Sequence, residues 1–157
     1  YGIGKHTVDQ KVFGVYSHEV TDTKNKITRG FDDVFLAPHS RHTTVSVEDI
    51  QAEPDLELLA VSSEAGMYLA ASRDGRRVFV TGHAEYDAET LDIEYRRDLE
   101  AGLPIEMPRN YYRNDDPEQL PIVGWRAHGD LLFTNWLNYC VYQETPYDLH
   151  ELGARKH

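Results

Sequence analysis

The order of apolar and polar residues predicts strands that alternate with helices. Apolar residues within 12–16 indicate a first strand, and a polar segment with a turn at 24–25 follows it. The apolar run 34–37 predicts a second, buried strand that ends at Pro38, where a polar loop rich in His and Ser begins. Residues 56–63 predict a third strand.

Local turn and capping signals add a hairpin and a short helix. Asp74 and Gly75 lie between two apolar runs and predict a two-residue type I′ hairpin turn, because glycine tolerates the positive φ that this turn requires. Ser46, followed by Asp49, predicts the N-cap of a short helix that ends before Pro54.

A longer helix is predicted after the hairpin. Asp87 is expected to cap it, and it is expected to run to about Ala101 and stop at Gly102. Its apolar residues recur at i, i+4 and i+8 and predict the core-facing stripe: Leu91, Tyr95 and Leu99. Glu94 and Arg97 fall off that stripe, which leaves Arg97 able to reach a site beside the preceding strand.

The remainder of the chain is predicted as a Pro-rich surface loop over 103–121 and one or two aromatic helices over 128–149. Strands that alternate with helices indicate an α/β fold with a mainly parallel sheet and one β-hairpin. A length of 157 residues fits one domain.

Composition narrows the functional classes. Sixteen basic and 27 acidic residues give a net charge of −11, which disfavours binding to nucleic acid. The most apolar stretch, 130–142, contains Asp130, Asn135 and Asn138 and is shorter than the ~20 residues that a membrane span needs. A single cysteine, Cys140, excludes an intrachain disulfide and a CxxC motif, so we expect a reducing, cytoplasmic setting.

His83 and Glu85 are the first candidates for chemistry. In an extended backbone, residues two apart face the same side, so Glu85 can hold the His83 imidazole in one tautomer and stabilise its protonated form. An HxE pair alone is weak evidence, and two polar residues at the end of a strand are the structural alternative.

The residues offer no convincing nucleophile to accompany this base. Cys140 lies among apolar and aromatic residues, which favours packing over reactivity, and Ser40 in "PHSRH" does not form a GxSxG elbow. A metal site is the other interpretation, built from side chains of separate segments: His39, His42, His83 and Glu85. No HExxH motif supports it.

Several long segments resemble one enzyme family. They are "KVFGVYSHEV", "FLAPHSRHT", "VTGHAEYDAETLDIEYRRDLEAGLPIEMPRNYY" and "NWLNYCVYQETPYDL", and they occur in the family's order along nearly the whole chain. The family is the homoserine O-acyltransferases of methionine biosynthesis (homoserine O-succinyltransferase or O-acetyltransferase, the glutamine-amidotransferase-like type). The resemblance implies a flavodoxin-like, class I glutamine-amidotransferase-like three-layer fold. It also implies acyl transfer from acetyl- or succinyl-CoA to homoserine by a Cys-His-Glu triad.

The resemblance assigns roles to five residues of this chain. His83 matches the general base and Glu85 the carboxylate that orients it. Arg97 matches the arginine that binds the carboxylate of the amino-acid substrate, and Lys11 and Ser40 match residues of the substrate pocket. Acyl-CoA is then a co-substrate, no cofactor or metal is implied, and a homodimer is expected.

In this family the nucleophilic cysteine precedes the segment that matches "YGIGKH". We therefore expect residues 1–157 to be the carboxyl-terminal half of a single acyltransferase domain, without the nucleophile and inactive alone. The alternative from another class is a non-catalytic half-domain that binds a small molecule or a partner chain.

Overall fold

The computed structural model describes residues 1–143, which form a five-stranded sheet with three α-helices. The strands are β1 (Lys5–Val20), β2 (Val34–Val45), β3 (Leu56–Ser62), β4 (Gly66–Ser72) and β5 (Val78–Val80). The helices are α1 (Val47–Ala52), α2 (Thr90–Glu100) and α3 (Arg126–Trp136), with a 3₁₀ turn at Arg113–Asp115 and a π-helical turn at Leu137–Tyr142. The strand order is β2-β1-β3-β4-β5.

Neighbouring strands of this sheet all run antiparallel, so the predicted mainly parallel sheet is wrong for residues 1–143. The links 63–65 and 73–77 are too short for a parallel crossover, which needs a dozen or more residues. Parallel pairing occurs as a bridge between Gly14 of β1 and Arg109. The order of strands and helices along the sequence did not determine whether neighbouring strands run parallel or antiparallel.

Pro38 does not end β2, as the apolar run had suggested. The strand continues to Val45, and Pro38 lies opposite Val15 of β1. β2 is one of the two edge strands, and the Pro38 carbonyl points away from β1 to accept a hydrogen bond from the His83 backbone N–H at 2.8 Å. The missing proline N–H therefore faces the edge, where it removes no bond from the β1–β2 ladder.

The predicted hairpin joins β4 and β5, but its turn is not a two-residue type I′ turn. Ser72 N–H donates to the Arg77 carbonyl and Gly75 N–H donates to the Ser72 carbonyl, both at 2.8 Å, which closes a four-residue loop. Gly75 has φ +71°, whereas Asp74 keeps a negative φ and accepts hydrogen bonds from Ser72 Oγ and the Arg76 N–H. The glycine is required, although at a different place in the turn from the one predicted.

The helix ends follow the sequence signals in part. Ser46 Oγ accepts a hydrogen bond from Asp49 N–H at 3.0 Å and caps α1, as predicted. Helix α2 begins at Thr90, and Asp87 contributes its backbone carbonyl rather than a side-chain cap. Gly102, with φ +68°, follows the end of α2, as predicted.

The core-facing stripe of α2 differs from the predicted one. Leu91 is buried and Tyr95 is half-buried, but Leu99 is 49% exposed. Glu94 and Asp98 are half-buried instead, so the inward face combines apolar with acidic residues. Apolar periodicity could not reveal two carboxylates on the packed side of a helix.

The segment 103–121 is not merely a surface loop. Its middle crosses β1 at Gly14, where Arg109 N–H donates to the Phe13 carbonyl at 3.0 Å and Val15 N–H donates to the Arg109 carbonyl at 2.8 Å. This crossing brings buried aromatic and apolar side chains into one core cluster: Phe13, Val15, Leu91, Tyr111, Tyr112 and Trp125. A Cβ on Gly14 would lie 2.4 Å from Arg109 backbone atoms, so only glycine permits this close approach.

Helix α3 packs on the other core cluster. Leu132 contacts a set of buried residues from the β1–β2 loop and the sheet that includes Ile27, Phe35 and Leu59. Asn135 Nδ2 donates to the Ile27 and Arg29 carbonyls at 2.9 and 2.8 Å, which fixes the β1–β2 loop on α3. The helical prediction for 128–149 is confirmed as far as Tyr142, and its last six residues lie outside the described part of the chain. Within residues 1–143 no helix has the length and apolar character to cross a membrane.

Candidate active site

His83 and Glu85 lie together in the loop between β5 and α2. His83 Nδ1 is 2.8 Å from Glu85 Oε1, and the imidazole and carboxylate side chains are 35% and 55% exposed. The two residues follow β5 rather than belonging to a strand, so the pairing arises from a turn: Tyr86 N–H donates to the His83 carbonyl at 3.2 Å. A carboxylate on Nδ1 leaves Nε2 as the ring nitrogen available for proton transfer.

Tyr86 supports the His83 ring from one side. The two rings stack with centroids 4.3 Å apart and planes 13° from parallel. Trp125 is buried and its indole N–H donates to the Tyr86 carbonyl at 2.9 Å, which ties the loop to the core. The imidazole is therefore held by a hydrogen bond at its edge and an aromatic ring on its face.

Glu94 is the centre of the polar network beside this loop. Its carboxylate accepts from Ser40 Oγ at 2.5 Å, Tyr86 Oη at 3.0 Å and Lys11 Nζ at 3.4 Å. Burial, and then the Glu94 charge, raise the pKa of Tyr86, so its hydroxyl stays protonated and donates. Two of the predicted pocket residues, Lys11 and Ser40, thus meet at a carboxylate that sequence analysis had placed off the packed face.

Arg97 joins this network through Asp98. Its guanidinium contacts Asp98 Oδ1 through Nε at 2.7 Å and through a terminal nitrogen at 2.6 Å. Asp98 Oδ2 in turn lies 3.9 Å from Lys11 Nζ. The Arg97 side chain is 65% exposed, so it lies at the rim of the network rather than inside it.

The structure therefore connects all five predicted residues, but not in one cavity. A cleft of about 650 Å³ opens between residues 8–13 of β1 and residues 104–107, and Lys11 lines it. His83, Glu85, Ser40 and Arg97 are not among its lining residues. A sequence signal for the missed residue, Glu94, does exist: Leu91, Glu94, Tyr95 and Asp98 follow the i, i+3, i+4, i+7 spacing of one helix face.

The histidines of the alternative metal site point to different places. His39 is fully buried, with Nε2 3.0 Å from Nε2 of His18, whereas His42 is exposed and lines the cleft. Among residues 1–143, no group of three or more His, Cys, Asp or Glu side chains is arranged to hold a metal ion. Cys140 packs, partly buried, against the core cluster around Phe35 and Leu132.

Solved structures define the fold class. The chain superimposes on a glutamine amidotransferase of Thermotoga maritima with TM-score 0.61 and 19% identity, covering 90% of this chain and 56% of that one. A glutamine amidotransferase of Methylobacillus flagellatus gives TM-score 0.57 and 11% identity, covering 87% and 56%. At these identities the match shows the fold alone, which is glutamine-amidotransferase-like.

Sequence relatives identify the family within that fold. The model of the homoserine O-succinyltransferase family matches residues 1–147, and this chain belongs to that family. The chain is 59% identical to a homoserine O-acetyltransferase of Bacteroides thetaiotaomicron over 152 residues, and 56% identical to one of Clostridium acetobutylicum over 149 residues. These alignments cover 97% and 95% of the chain and 50% of each relative, so the chain spans about half the length of the curated relatives it matches.

Proposed function

We propose that the full-length protein carrying this chain transfers an acyl group from acyl-CoA to the hydroxyl of L-homoserine. The observation that carries the proposal is the contact of 2.8 Å between His83 Nδ1 and Glu85 Oε1, in a chain 59% identical to a relative named homoserine O-acetyltransferase. A base held by a carboxylate is the arrangement that activates a thiol or hydroxyl nucleophile.

In this proposal residues 1–157 are the carboxyl-terminal half of one acyltransferase domain and supply the base and its orienting carboxylate. A cysteine from the rest of the protein supplies the nucleophile. The proposal does not assign that role to Cys140, because it packs, partly buried, against a core cluster formed by the β1–β2 loop, the sheet and α3. Relatives about twice as long as this chain support the division.

The chemistry has two half-reactions with one proton carrier. His83 takes the proton of the cysteine thiol, the thiolate attacks the thioester carbonyl of acyl-CoA, and the proton passes to the departing CoA thiolate. His83 then takes the proton of the homoserine hydroxyl as its oxygen attacks the acyl-cysteine, and returns it to the enzyme thiolate that leaves. Glu85 stabilises the imidazolium in both half-reactions and keeps Nδ1 protonated.

Recognition of the amino acid is assigned to the network at α2. The planar guanidinium of Arg97 suits a carboxylate, which it would bind in place of its exposed contact with Asp98. We assign Lys11 and Ser40 to the substrate pocket, and their hydrogen bonds to Glu94 would fix the position of both. This division separates groups that act in both half-reactions from groups needed only when homoserine is present.

The test uses the full-length protein with acetyl-CoA or succinyl-CoA. We expect His83→Ala to abolish the acyl-enzyme, measured by intact-protein mass spectrometry. We expect Arg97→Ala to leave CoA release in the first half-reaction and to raise the KM for homoserine. The matched controls His6→Ala and Arg76→Ala remove an exposed imidazole of β1 and an exposed guanidinium of the hairpin, and both should behave as wild type.

Four outcomes would contradict the proposal or one of its parts. If the His83→Ala variant still formed the acyl-enzyme, His83 would not be the general base. If Arg97→Ala lost both half-reactions equally, Arg97 would not be the residue that binds homoserine. CoA release by residues 1–157 alone, above the uncatalysed rate, would show that no external nucleophile is needed. Absence of acyl transfer by the full-length protein would favour the non-catalytic half-domain.

A further inference from the structure

Two fully buried histidines lie behind the loop that carries His83. His18 of β1 and His39 of β2 are each 0% exposed, and their Nε2 atoms are 3.0 Å apart. The two rings stack with centroids 5.0 Å apart, and the ring of Tyr68 from β4 lies 4.8 Å from that of His18. These three rings fill the space between the sheet and residue 82 of the loop.

The hydrogen bonds assign the tautomers of the pair. Arg41 Nε donates to His39 Nδ1 at 3.4 Å, so this nitrogen is an acceptor and His39 carries its proton on Nε2. His39 therefore donates to His18 Nε2, and His18 carries its proton on Nδ1, a buried nitrogen with no hydrogen-bond acceptor in good geometry within residues 1–143. The His39 ring is fixed at both nitrogens and cannot rotate without leaving a buried polar atom unpaired.

The loop backbone lies directly on these rings. A Cβ on Gly82 would be 2.6 Å from Cε2 of Tyr68 and 3.0 Å from Nε2 of His39. Thr81 N–H donates to the Tyr68 carbonyl at 3.0 Å, and His83 N–H donates to the Pro38 carbonyl at 2.8 Å. The residue before His83 is thus pressed against the rings, while its neighbours on both sides are bonded to the sheet.

We infer that His39 and Tyr68, with His18 bonded behind His39, form a platform that positions His83 by holding the backbone of Gly82. The name platform refers to these three residues. They do not approach substrate in this assignment; they act through the loop and are positioning residues. The expected effect on catalysis rests on the proposed function of His83 as the base. The expected effect on the position of the His83 ring does not depend on that function.

The platform explains two features of the sequence that the triad leaves unused. His18 and His39 are buried polar residues, which fold stability alone does not favour over apolar ones. Gly82 has no positive φ to explain it, yet its close contacts exclude any side chain. A rigid support suits a base whose displacement by about 1 Å can lower a rate by about 100-fold.

The first measurement follows the ring of His83 directly. In the full-length protein with ¹³C-labelled histidine, the His83 ring resonances are identified by their loss in His83→Ala, and stacking on Tyr86 shifts them upfield. We expect Gly82→Ala and His39→Ala to move these resonances. Gly4→Ala and His6→Ala are matched controls that should not, because a Cβ on Gly4 meets no atom closer than 3.9 Å and His6 is exposed.

The second measurement is acyl transfer by the same variants. We expect Gly82→Ala and His39→Ala to lower kcat by about 10- to 100-fold while the KM for homoserine changes by less than about threefold. His39→Gln keeps an amide N–H for His18, and we expect it to recover kcat to within about tenfold of wild type. The double variant His39→Ala/Gly82→Ala should lose less than the product of the single effects, because removing the His39 ring relieves one of the two ring contacts of the methyl group and opens space beside the other.

Each outcome decides one part of the inference. Unmoved His83 resonances in a folded Gly82→Ala variant overturn the platform, and this variant decides the question if His39→Ala fails to fold. Moved resonances with a wild-type kcat, or strictly multiplicative losses in the double variant, overturn the positioning role. If the wild-type protein does not acylate homoserine, or the His83→Ala variant still does, the proposed function fails. The platform is then tested only by whether the His83 ring resonances move in the variants.

Discussion

The buried histidine pair predicts that acid destabilises this fold at a pH well above that of carboxylate protonation. Burial is the main cause that lowers the pKa of His18 to about 4 and that of His39 to about 2. Histidine in an unfolded chain has a pKa of about 6.5. Between these values the unfolded state binds protons that the folded state does not, so stability falls as the pH falls through this window.

The structure sets the size of the effect. Below pH 6.5 each histidine costs about 1.4 kcal/mol per pH unit, until its folded pKa is reached. From pH 7 to pH 5 each therefore removes about 2 kcal/mol, and the pair removes about 3–4 kcal/mol. That is a large fraction of the ~5–15 kcal/mol that holds a typical domain folded.

Urea unfolding of the full-length protein at pH 7, 6 and 5, followed by circular dichroism, measures this loss. His39→Gln removes one titrating group, so we expect its stability to fall by about 2 kcal/mol less than wild type over the same range. The quantity compared is the change in the free energy of unfolding between pH 7 and pH 5, so a difference in stability at pH 7 does not affect the result. His6→Gln, at an exposed position of β1, serves as the matched control and should keep the wild-type pH dependence. Equal losses in wild type and His39→Gln would refute the reasoning.

Three further perturbations test the fold and the site. Gly14→Ala should lower the free energy of unfolding by about 2 kcal/mol or more, because its Cβ would lie 2.4 Å from the Arg109 backbone; a thermal midpoint equal to that of Gly4→Ala would contradict this. Ser46→Ala should cost about 1 kcal/mol in urea unfolding through loss of the α1 cap, whereas Ser46→Asn should cost little. Glu94→Ala should lower kcat/KM for homoserine roughly tenfold or more, because Lys11 and its other donors lose their charged acceptor; unchanged kinetics would exclude Glu94 from the site.

The sequence allowed most residues of the candidate site to be named, but it did not show how they contact one another. The HxE spacing indicated that His83 and Glu85 could meet, and resemblance to the family added Arg97, Lys11 and Ser40; their catalytic and binding roles stay predictions. Glu94 was missed because an acidic residue on the packed side of α2 does not contribute to apolar periodicity. The buried pair His18–His39 was missed for a related reason, since burial of an imidazole depends on strands that are distant in sequence.

What the sequence determined by itself is local. The Ser46 cap, the need for glycine at position 75 and the stop at Gly102 depend on dihedral angles and hydrogen bonds between near neighbours, which the residue types express directly. Most of the apolar runs likewise became strands, because burial favours them in any arrangement of the sheet.

Only the tertiary structure decided the direction of the strands, the continuation of β2 through Pro38 and the course of residues 103–121. Each depends on a distant partner: an edge position for Pro38, and the backbone of Arg109 lying on Gly14. The same is true of the support beneath His83, where β2 and β4 place the rings of His39 and Tyr68 against Gly82 and β1 places His18 behind His39. Such contacts join residues far apart in the chain, so no pattern among neighbouring residues could express them.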